Sequence, residues 1–405
     1  MYDAIVVGAR CAGSPTAMLL ARSGYRVLLV DRATFPSDTM STHHIHRAGV
    51  ARLARWGLLE RLLQTGGPQI RHWTFDLGPF ALVGNPTPAG PIDFDVCPRR
   101  TRLDAMLVAA AAEAGADVRE GFGVRDLLWD DNGRVCGIVG QNADGTSCTE
   151  RARIVVGADG RNSLVARAVR APEYHTRPSL TCAFYSYWSG VEMDGVELYP
   201  REGRAIVAEQ TNDGLVYVAS GWHRDAFHQV RQDVERHLLA NVERCAPSLA
   251  ERMRGAVREA PFAGTADFRF FFRRPYGPGW ALVGDAGYHR DAVTGQGITD
   301  ALRDAELLAC AIDAGLSQRQ PLDEAMHDYE QTRNTAVMPI YEFTYDLAKL
   351  EPPSPEHQQL FGALRGNQPA IDQFLGTIAG TVAIPEFFGE ANVRRMMREA
   401  LPTAA

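Results

Sequence analysis

The first thirty-one residues constrain the fold more than any other stretch. Tyr2 to Val7 (YDAIVV) is short, apolar and partly β-branched, and it reads as a buried strand ended by Gly8. Gly8-Ala9-Arg10-Cys11-Ala12-Gly13 follows, then an Ala- and Leu-rich helix from Ser14 to Ser23, which Gly24 stops. Residues 25–30 (YRVLLV) read as a second buried strand, with Asp31 and Arg32 at its end. Strand, tight turn, helix, strand and acid in this span build a βαβ unit of the dinucleotide-binding kind. A helix start offers free N–H groups and a positive dipole end to a pyrophosphate. Glycines in the preceding loop let the phosphate approach the backbone. The first and third glycines of G-x-G-x-x-G are present as Gly8 and Gly13, and the second is replaced by Arg10. That side chain can pair with phosphate, point into the active-site cleft or lie on the surface. Asp31 supplies a carboxylate for ribose hydroxyls.

Two later segments repeat the strand-then-turn pattern. An apolar strand at 153–156 runs into Gly157-Ala158-Asp159-Gly160-Arg161-Asn162-Ser163. From Trp280 a strand leads to Gly284-Asp285-Ala286-Gly287, then to Thr294-Gly295-Gln296-Gly297-Ile298 and a helix to about Ala314. In order and spacing these three motifs resemble the para-hydroxybenzoate hydroxylase-like flavoproteins. That group includes single-component aromatic monooxygenases, geranylgeranyl reductases and flavin-dependent halogenases, and the resemblance covers about the first 315 residues.

The resemblance implies resident FAD and a role for each matched position. Gly8, Arg10, Ala12 and Gly13 would form the pyrophosphate loop, with Asp31 and Arg32 at the adenosine ribose. Arg100 would hold the phosphates or ribityl chain, and Val124 would touch adenine through its backbone. Asp159 would serve the FAD region, and Asp285 would bind a ribityl hydroxyl. Gly295, Gln296, Gly297 and Ile298 would face the flavin pyrimidine edge and favour the anionic reduced flavin. Two departures affect NADH or NADPH docking. Tyr288 and Asp291-Ala292 stand where many hydroxylases have a histidine and a proline pair, with His289 one place later, and Arg167 falls one residue late after Ser163.

The implied fold is α/β: a discontinuous Rossmann-type FAD-binding domain (1–72, 98–170 and 272–320), a β-sheet substrate domain (73–97 and 171–271) and a helical C-terminal region (321–405). Alternating strand-like runs at 182–188, 205–209 and 215–221 and a charged helix near 228–243 belong to the substrate domain. Residues 43–63 read as one or two helices, with His43, His44 and His46 at their start. Helical pattern resumes at Thr101, and Asp130-Asp131-Asn132-Gly133 marks a hairpin turn.

Composition narrows the function classes. A formal net charge of -7 leaves no basic footprint for nucleic acid. The seven cysteines form no CxxC pair, which argues against zinc and a disulfide framework and fits a cytoplasmic setting. No run of about 18 apolar residues predicts a membrane span. The histidine cluster has no cysteine or carboxylate close in sequence, so no metal site is expected. The sole lysine is Lys349, whereas a halogenase of this superfamily needs a lysine between flavin and substrate, and its Trp-x-Trp-x-Ile-Pro motif is absent.

A monooxygenase is the reading that remains foremost. Flavin reduced by NADH or NADPH would react with O2 to give a C4a-hydroperoxide, which transfers one oxygen to a small organic substrate, aromatic or polyketide-like, of secondary metabolism. The protein would position the substrate, exclude water and shape the field. Candidate active-site groups are Arg10, His43, His44, Tyr288 and His289, with His46, Glu209 and Tyr217 toward the substrate. The alternative is a reductase or dehydrogenase of the geranylgeranyl reductase type, and a non-catalytic flavin-binding scaffold is a third reading. The expected assembly is a monomer or homodimer.

Overall fold

The computed structural model describes residues 1–399. A parallel sheet forms its nucleotide-binding layer. In spatial order it runs Trp280–Leu282, Ser147–Gly157, Tyr2–Val7, Val27–Val30 and Asp117–Arg119, with Tyr276–Gly277 antiparallel at one edge. Ile5, Val6, Leu28, Leu29, Val155 and Val156 are buried. Burial on both faces explains why these strands read as continuous apolar runs rather than alternating ones. Each such side chain removed from water contributes roughly 1.5–3 kcal/mol.

Helices cover one face. Gly13–Arg22 and Gly297–Leu316 pack there, and Ile298, Leu302, Ala305, Leu308 and Ile312 keep helical spacing on one buried stripe. The helix Arg100–Glu113 joins the same core through Leu103, Met106, Leu107, Ala110 and Ala111. The hairpin Gly123–Trp129 and Val135–Gln141 turns at Asp130–Gly133 and extends the long strand Ser147–Gly157.

The second large sheet is mostly antiparallel. Its order is Val257–Arg258, Thr181–Ser189, Val216–His223, Arg204–Gln210, Val196–Arg201, Trp73–Asp76 and Ala81–Gly84. Trp73–Asp76 lies parallel to Val196–Arg201, which brings residues 73–84 onto this sheet from far away in the chain. A three-stranded sheet of Glu173–Arg177, Phe270–Arg273 and Tyr288–His289 links the two layers.

Two local readings are corrected. The charged helix near 228–243 is two helices, Phe227–Gln232 and Val234–Cys245. Asp233 separates them, with extended φ and a side chain that accepts from the Arg236 N–H as an N-cap. The histidine cluster lies before the helix rather than in its first turn: His43 has φ 65°, and His46 is the N-cap residue of Arg47–Arg55. In the tail, Pro355 and Pro369 start helices, Pro355–Leu364 and Gln368–Ile378, and Pro339 sits inside Leu322–Ala348.

Candidate active site

The three glycine motifs meet at one place. A Cβ on Gly8 would lie 2.5 Å from the Ala158 carbonyl oxygen, and one on Gly284 would lie 2.8 Å from the Ala12 Cβ. A Cβ on Gly13 would overlap the Gly8 carbonyl oxygen. Only glycine permits these approaches, so the second and third motifs close directly on the first loop. Gly8 also has φ +104°, which L side chains rarely adopt.

At this junction the N–H groups of Arg10, Cys11, Ala12 and Gly13 find no acceptor among the described residues. Asp31 accepts from the Ala9 N–H at 2.7 Å and the Ala33 N–H at 2.8 Å, so it fixes the loop and each oxygen retains further acceptor capacity. Backbone bonds from Gly121 and Phe122 to Ala33 and Asp31 set Val124 beside the same end of the sheet. Arg32 is exposed.

Arg10 is neither free nor superficial. Its Nη1 bonds Asp104 at 2.5 Å, and its Nη2 bonds the Ser37 hydroxyl at 2.9 Å. Arg100 bonds the other Asp104 oxygen through Nε at 3.0 Å and Nη2 at 2.9 Å, and the Cys11 thiol donates to that oxygen as well. Buried Asp104, which no sequence motif marked, thus holds two guanidinium groups beside the loop. The Asp104 and Asp285 carboxylates hold the Arg100 guanidinium firmly protonated, outweighing its burial.

Asp285 is exposed and makes no hydrogen bond among the described residues. Asp159 accepts from the Leu164 N–H at 2.6 Å with Oδ2, while its Oδ1 is buried without a partner. Burial raises its pKa. Gly295 takes a left-handed conformation with φ 64°, and a Cβ on Gly297 would meet open space. The N–H groups of Gln296 to Thr299 at this helix start are free of backbone acceptors. Free donors at two helix starts, a free carboxylate and an arginine pair form a donor set that fits FAD.

A cavity of about 120 Å³ opens beside the 291–295 loop. Its floor is the second sheet, including Leu198, Val207 and Ala219, and its opposite wall carries His44, His46 and Val293. Leu350 and Ile378 bring the C-terminal region over it. Gln296 donates to the Ile378 carbonyl, and Thr294 and Thr344 share a hydroxyl contact at 3.0 Å. These contacts fasten the cap to the loop that precedes the Gly297 helix.

The left-handed His43 sends the three imidazoles in different directions. His43 Nε2 meets the Tyr187 hydroxyl at 2.5 Å, away from the cavity. His44 Nδ1 meets Glu209 at 2.6 Å, and His46 Nε2 donates to the Thr294 carbonyl at 3.1 Å. Burial lowers the His43 and His46 pKa values to about 3. For His44, burial also works against the charge, but the Glu209 and Asp95 carboxylates outweigh it and raise the pKa. His44 Nε2 is buried and has no partner. His44, His46, Glu209 and Tyr217 all line the cavity.

Sequence neighbours offered the histidines no carboxylate, but the fold supplies Asp95 beside His44 and His46. Its Oδ1 accepts from the Arg47 N–H and Nε, and its Oδ2 from Arg47 Nη2 and Trp73 Nε1. Those four donors occupy the carboxylate, which therefore serves to neutralise buried Arg47.

Tyr288 and His289 are not brought to the cavity. Tyr288 stacks on Phe272, and its hydroxyl accepts from Arg303. His289 stacks on Phe271, and its Nδ1 donates to the Arg269 carbonyl. Both belong to the small linking sheet. The residues that sequence reasoning passed over are Asp95, Asp104 and Thr181. Asp291 had been noted only as a departure from a proline pair, and it too lines the cavity.

Comparison with known proteins agrees with this geometry. The FAD binding domain family matches residues 1–344. The tryptophan 2-halogenase of Chondromyces crocatus is 26% identical over 81% of this chain, which spans 64% of that protein's length. Digeranylgeranylglycerophospholipid reductase 2 of Methanopyrus kandleri is 30% identical, over 74% of each chain. Among solved structures, PqsL of Pseudomonas aeruginosa, described as a probable FAD-dependent monooxygenase, superposes with a TM-score of 0.72 at 19% identity, covering 93% of this chain and 98% of that one. No helix among the described residues is long and apolar enough to cross a membrane. The chain therefore belongs to the FAD-binding family of oxidoreductases, in the superfamily that holds hydroxylase-like monooxygenases, halogenases and geranylgeranyl reductases.

Proposed function

We propose that this protein is a monooxygenase that oxygenates a small, largely apolar organic molecule, using NADH or NADPH and O2. The observation that carries the reading is the cavity itself. It is apolar along its floor, capped by the C-terminal region, set against the loop that leads to Gly297, and lined by no lysine.

Bound FAD would supply the redox chemistry, drawing electrons from the nicotinamide and an oxygen atom from O2. The chain's own residues do the rest. The loop Gly8–Gly13, Asp31 and Arg100 would hold the dinucleotide, and Asp285 would hold its ribityl chain. The free N–H groups and positive dipole end from Gln296 onward would favour the anionic reduced form of a bound flavin. Val207, Leu198 and Ala219 exclude water beneath the substrate, and the Gln296–Ile378 contact keeps the cap closed. His44, oriented by Glu209, holds or accepts a proton at Nε2 on the cavity wall.

Halogenation is disfavoured by the position of Lys349, which pairs with Asp346 and does not line the cavity. Reduction of an isoprenoid double bond is the second reading. The identity to an archaeal reductase favours it, and the apolar floor would suit such a chain equally well.

One experiment separates them. The flavin-loaded protein is mixed with NADH or NADPH under ¹⁸O₂ and with candidate apolar substrates. Label in the product supports the monooxygenase. Product gaining two hydrogens without label, under nitrogen as well as air, replaces it with the reductase. Flavin that no nicotinamide reduces removes the single-component form of the proposal.

A further inference from the structure

The cavity's polar groups are asymmetric in charge. At one end Glu209 has its imidazole partner His44 at 2.6 Å. At the other stands Asp291, buried, with Oδ2 accepting from the Thr181 hydroxyl at 2.5 Å and Oδ1 accepting from the Val293 N–H at 3.0 Å. Strand register separates the two ends. Glu209 pairs with Tyr217, which pairs with Tyr187, and Thr181 lies six residues before Tyr187 on the same strand. Six residues of strand span about 20 Å.

Asp291 has no cationic partner among the described residues. Arg290, next in sequence, is taken by Asp300 at 2.5 Å. The ionisable neighbour on the adjoining strand is Cys182, whose burial keeps it a thiol. His289 is spent on the Arg269 carbonyl. No arginine or lysine among the described residues lines the cavity.

A buried carboxylate facing an apolar space is costly unless a cation meets it. Its two oxygens accept one side-chain and one backbone bond, which leaves lone pairs to spare. Phe268 lines the same cavity and adds an aromatic surface suited to a cation. We propose that the Asp291 end of the cavity is a recognition site for a nitrogen cation, such as a protonated amine, carried by an otherwise apolar substrate. The inference deepens the proposed function by naming the substrate's charge, and it rests on that reading for the cavity being the substrate site. It also disfavours carboxylates and phosphate esters at this end, because no arginine or lysine among the described residues lines the cavity and the His44 imidazole is paired with Glu209 at the far end.

The test is binding to the oxidised, flavin-loaded protein, so its outcome does not depend on which reaction follows. Three probes share one skeleton and differ in charge: 4-phenylbutylamine, 4-phenyl-1-butanol and 4-phenylbutyrate. Dissociation constants are measured at pH 7.5 by calorimetry and by perturbation of the flavin absorbance. The amine is expected to bind at least tenfold more tightly than the alcohol, and the acid more weakly than both. In Asp291→Asn the preference for amine over alcohol should vanish while the alcohol binds as before. In the unmodified protein the preference should also fade between pH 7.5 and pH 5, as the carboxyl takes up its proton, and this arm needs no variant to fold. Equal affinity for amine and alcohol in the unmodified protein overturns the proposal. So does an amine preference that survives in Asp291→Asn but is lost in Glu209→Gln.

Discussion

Arg10 and Asp104, 94 positions apart in the chain, are joined at 2.5 Å beside the dinucleotide loop. The arginine that interrupts the glycine motif therefore has a fixed structural partner. It ties the loop to the helix Arg100–Glu113 and, through Ser37, to the segment after Asp31.

Arg10→Gly restores the glycine pattern but removes that tie. Asp104 keeps Arg100, so no charge is left buried alone, and Arg10 itself is partly exposed, which weakens the pair by solvent screening. The expected loss is about 1–2 kcal/mol of stability, with several-fold weaker FAD retention. Asp104→Asn should cost more, because two guanidinium groups lose their carboxylate at once. Thermal unfolding and flavin content after dialysis measure both. An Arg10→Gly protein with unchanged melting and flavin content would show the tie to be idle.

The nucleotide site was largely legible in the sequence, and the substrate site was not, for a physical reason. Gly8, Gly13 and Gly284 are dictated by backbone approach, and such constraints leave a fixed residue at a fixed spacing. Asp104 and Asp95 are chosen by partners that lie far away in sequence, and pairing of that kind leaves no periodic trace. Tyr288 and His289 show the opposite error. Their place at and beside the position where many related hydroxylases carry a histidine suggested chemistry, but they lie in a short strand whose alternate faces stack on Phe272 and Phe271. The histidine cluster was visible, but the left-handed His43 that divides it was not. That conformation costs a non-glycine residue roughly 1–3 kcal/mol and is held by the surrounding contacts.

Glu209→Gln tests the proton held at His44. With Glu209 and Asp95 in place the folded His44 pKa is raised above 6.5. The charged form therefore stabilises the fold at pH values below 6.5, and that contribution is lost as pH rises through the folded pKa. The variant removes the nearer carboxylate and should flatten this dependence, lowering stability at pH 6 more than at pH 8.5. The acidic limb of turnover should move to lower pH in the same protein. Melting curves and a pH–rate profile at saturating nicotinamide are the measurements. Identical limbs in both proteins would remove His44 from the proton chemistry.

Gln296→Ala separates capping from flavin binding. The side chain donates to the Ile378 carbonyl, while the N–H groups at the helix start belong to the backbone and survive the change. Flavin content should stay within about twofold, because the lost hydrogen bond, worth about 1 kcal/mol, joins the loop to the cap and leaves the backbone donors in place. Oxidation of nicotinamide that yields hydrogen peroxide instead of oxygenated product should rise, because water gains access to the cavity. The ratio of peroxide formed to nicotinamide consumed reads this directly, and an unchanged ratio would mean that the cap closes without this contact.

Asp291→Asn should stabilise the ligand-free protein at neutral pH. Burial lifts this carboxyl from its ordinary value of 3.8 to about 6, against the lowering pull of Thr181 and the Val293 N–H. Between those two values the folded state keeps a proton that the unfolded chain has released, so stability falls as pH rises through that window. Above about pH 6 the full penalty applies, roughly 3 kcal/mol. An asparagine keeps the oxygen that accepts from Val293 and carries no charge to bury. The variant should therefore melt higher than the parent at pH 7.5 and alike at pH 4. A ligand cation at Asp291 relieves the same penalty, so adding 4-phenylbutylamine at pH 7.5 should raise the melting temperature of the parent and leave that of the variant almost unmoved. If the variant is less stable than the parent at pH 7.5, Asp291 serves the fold as a turn cap and its charge is no burden to it.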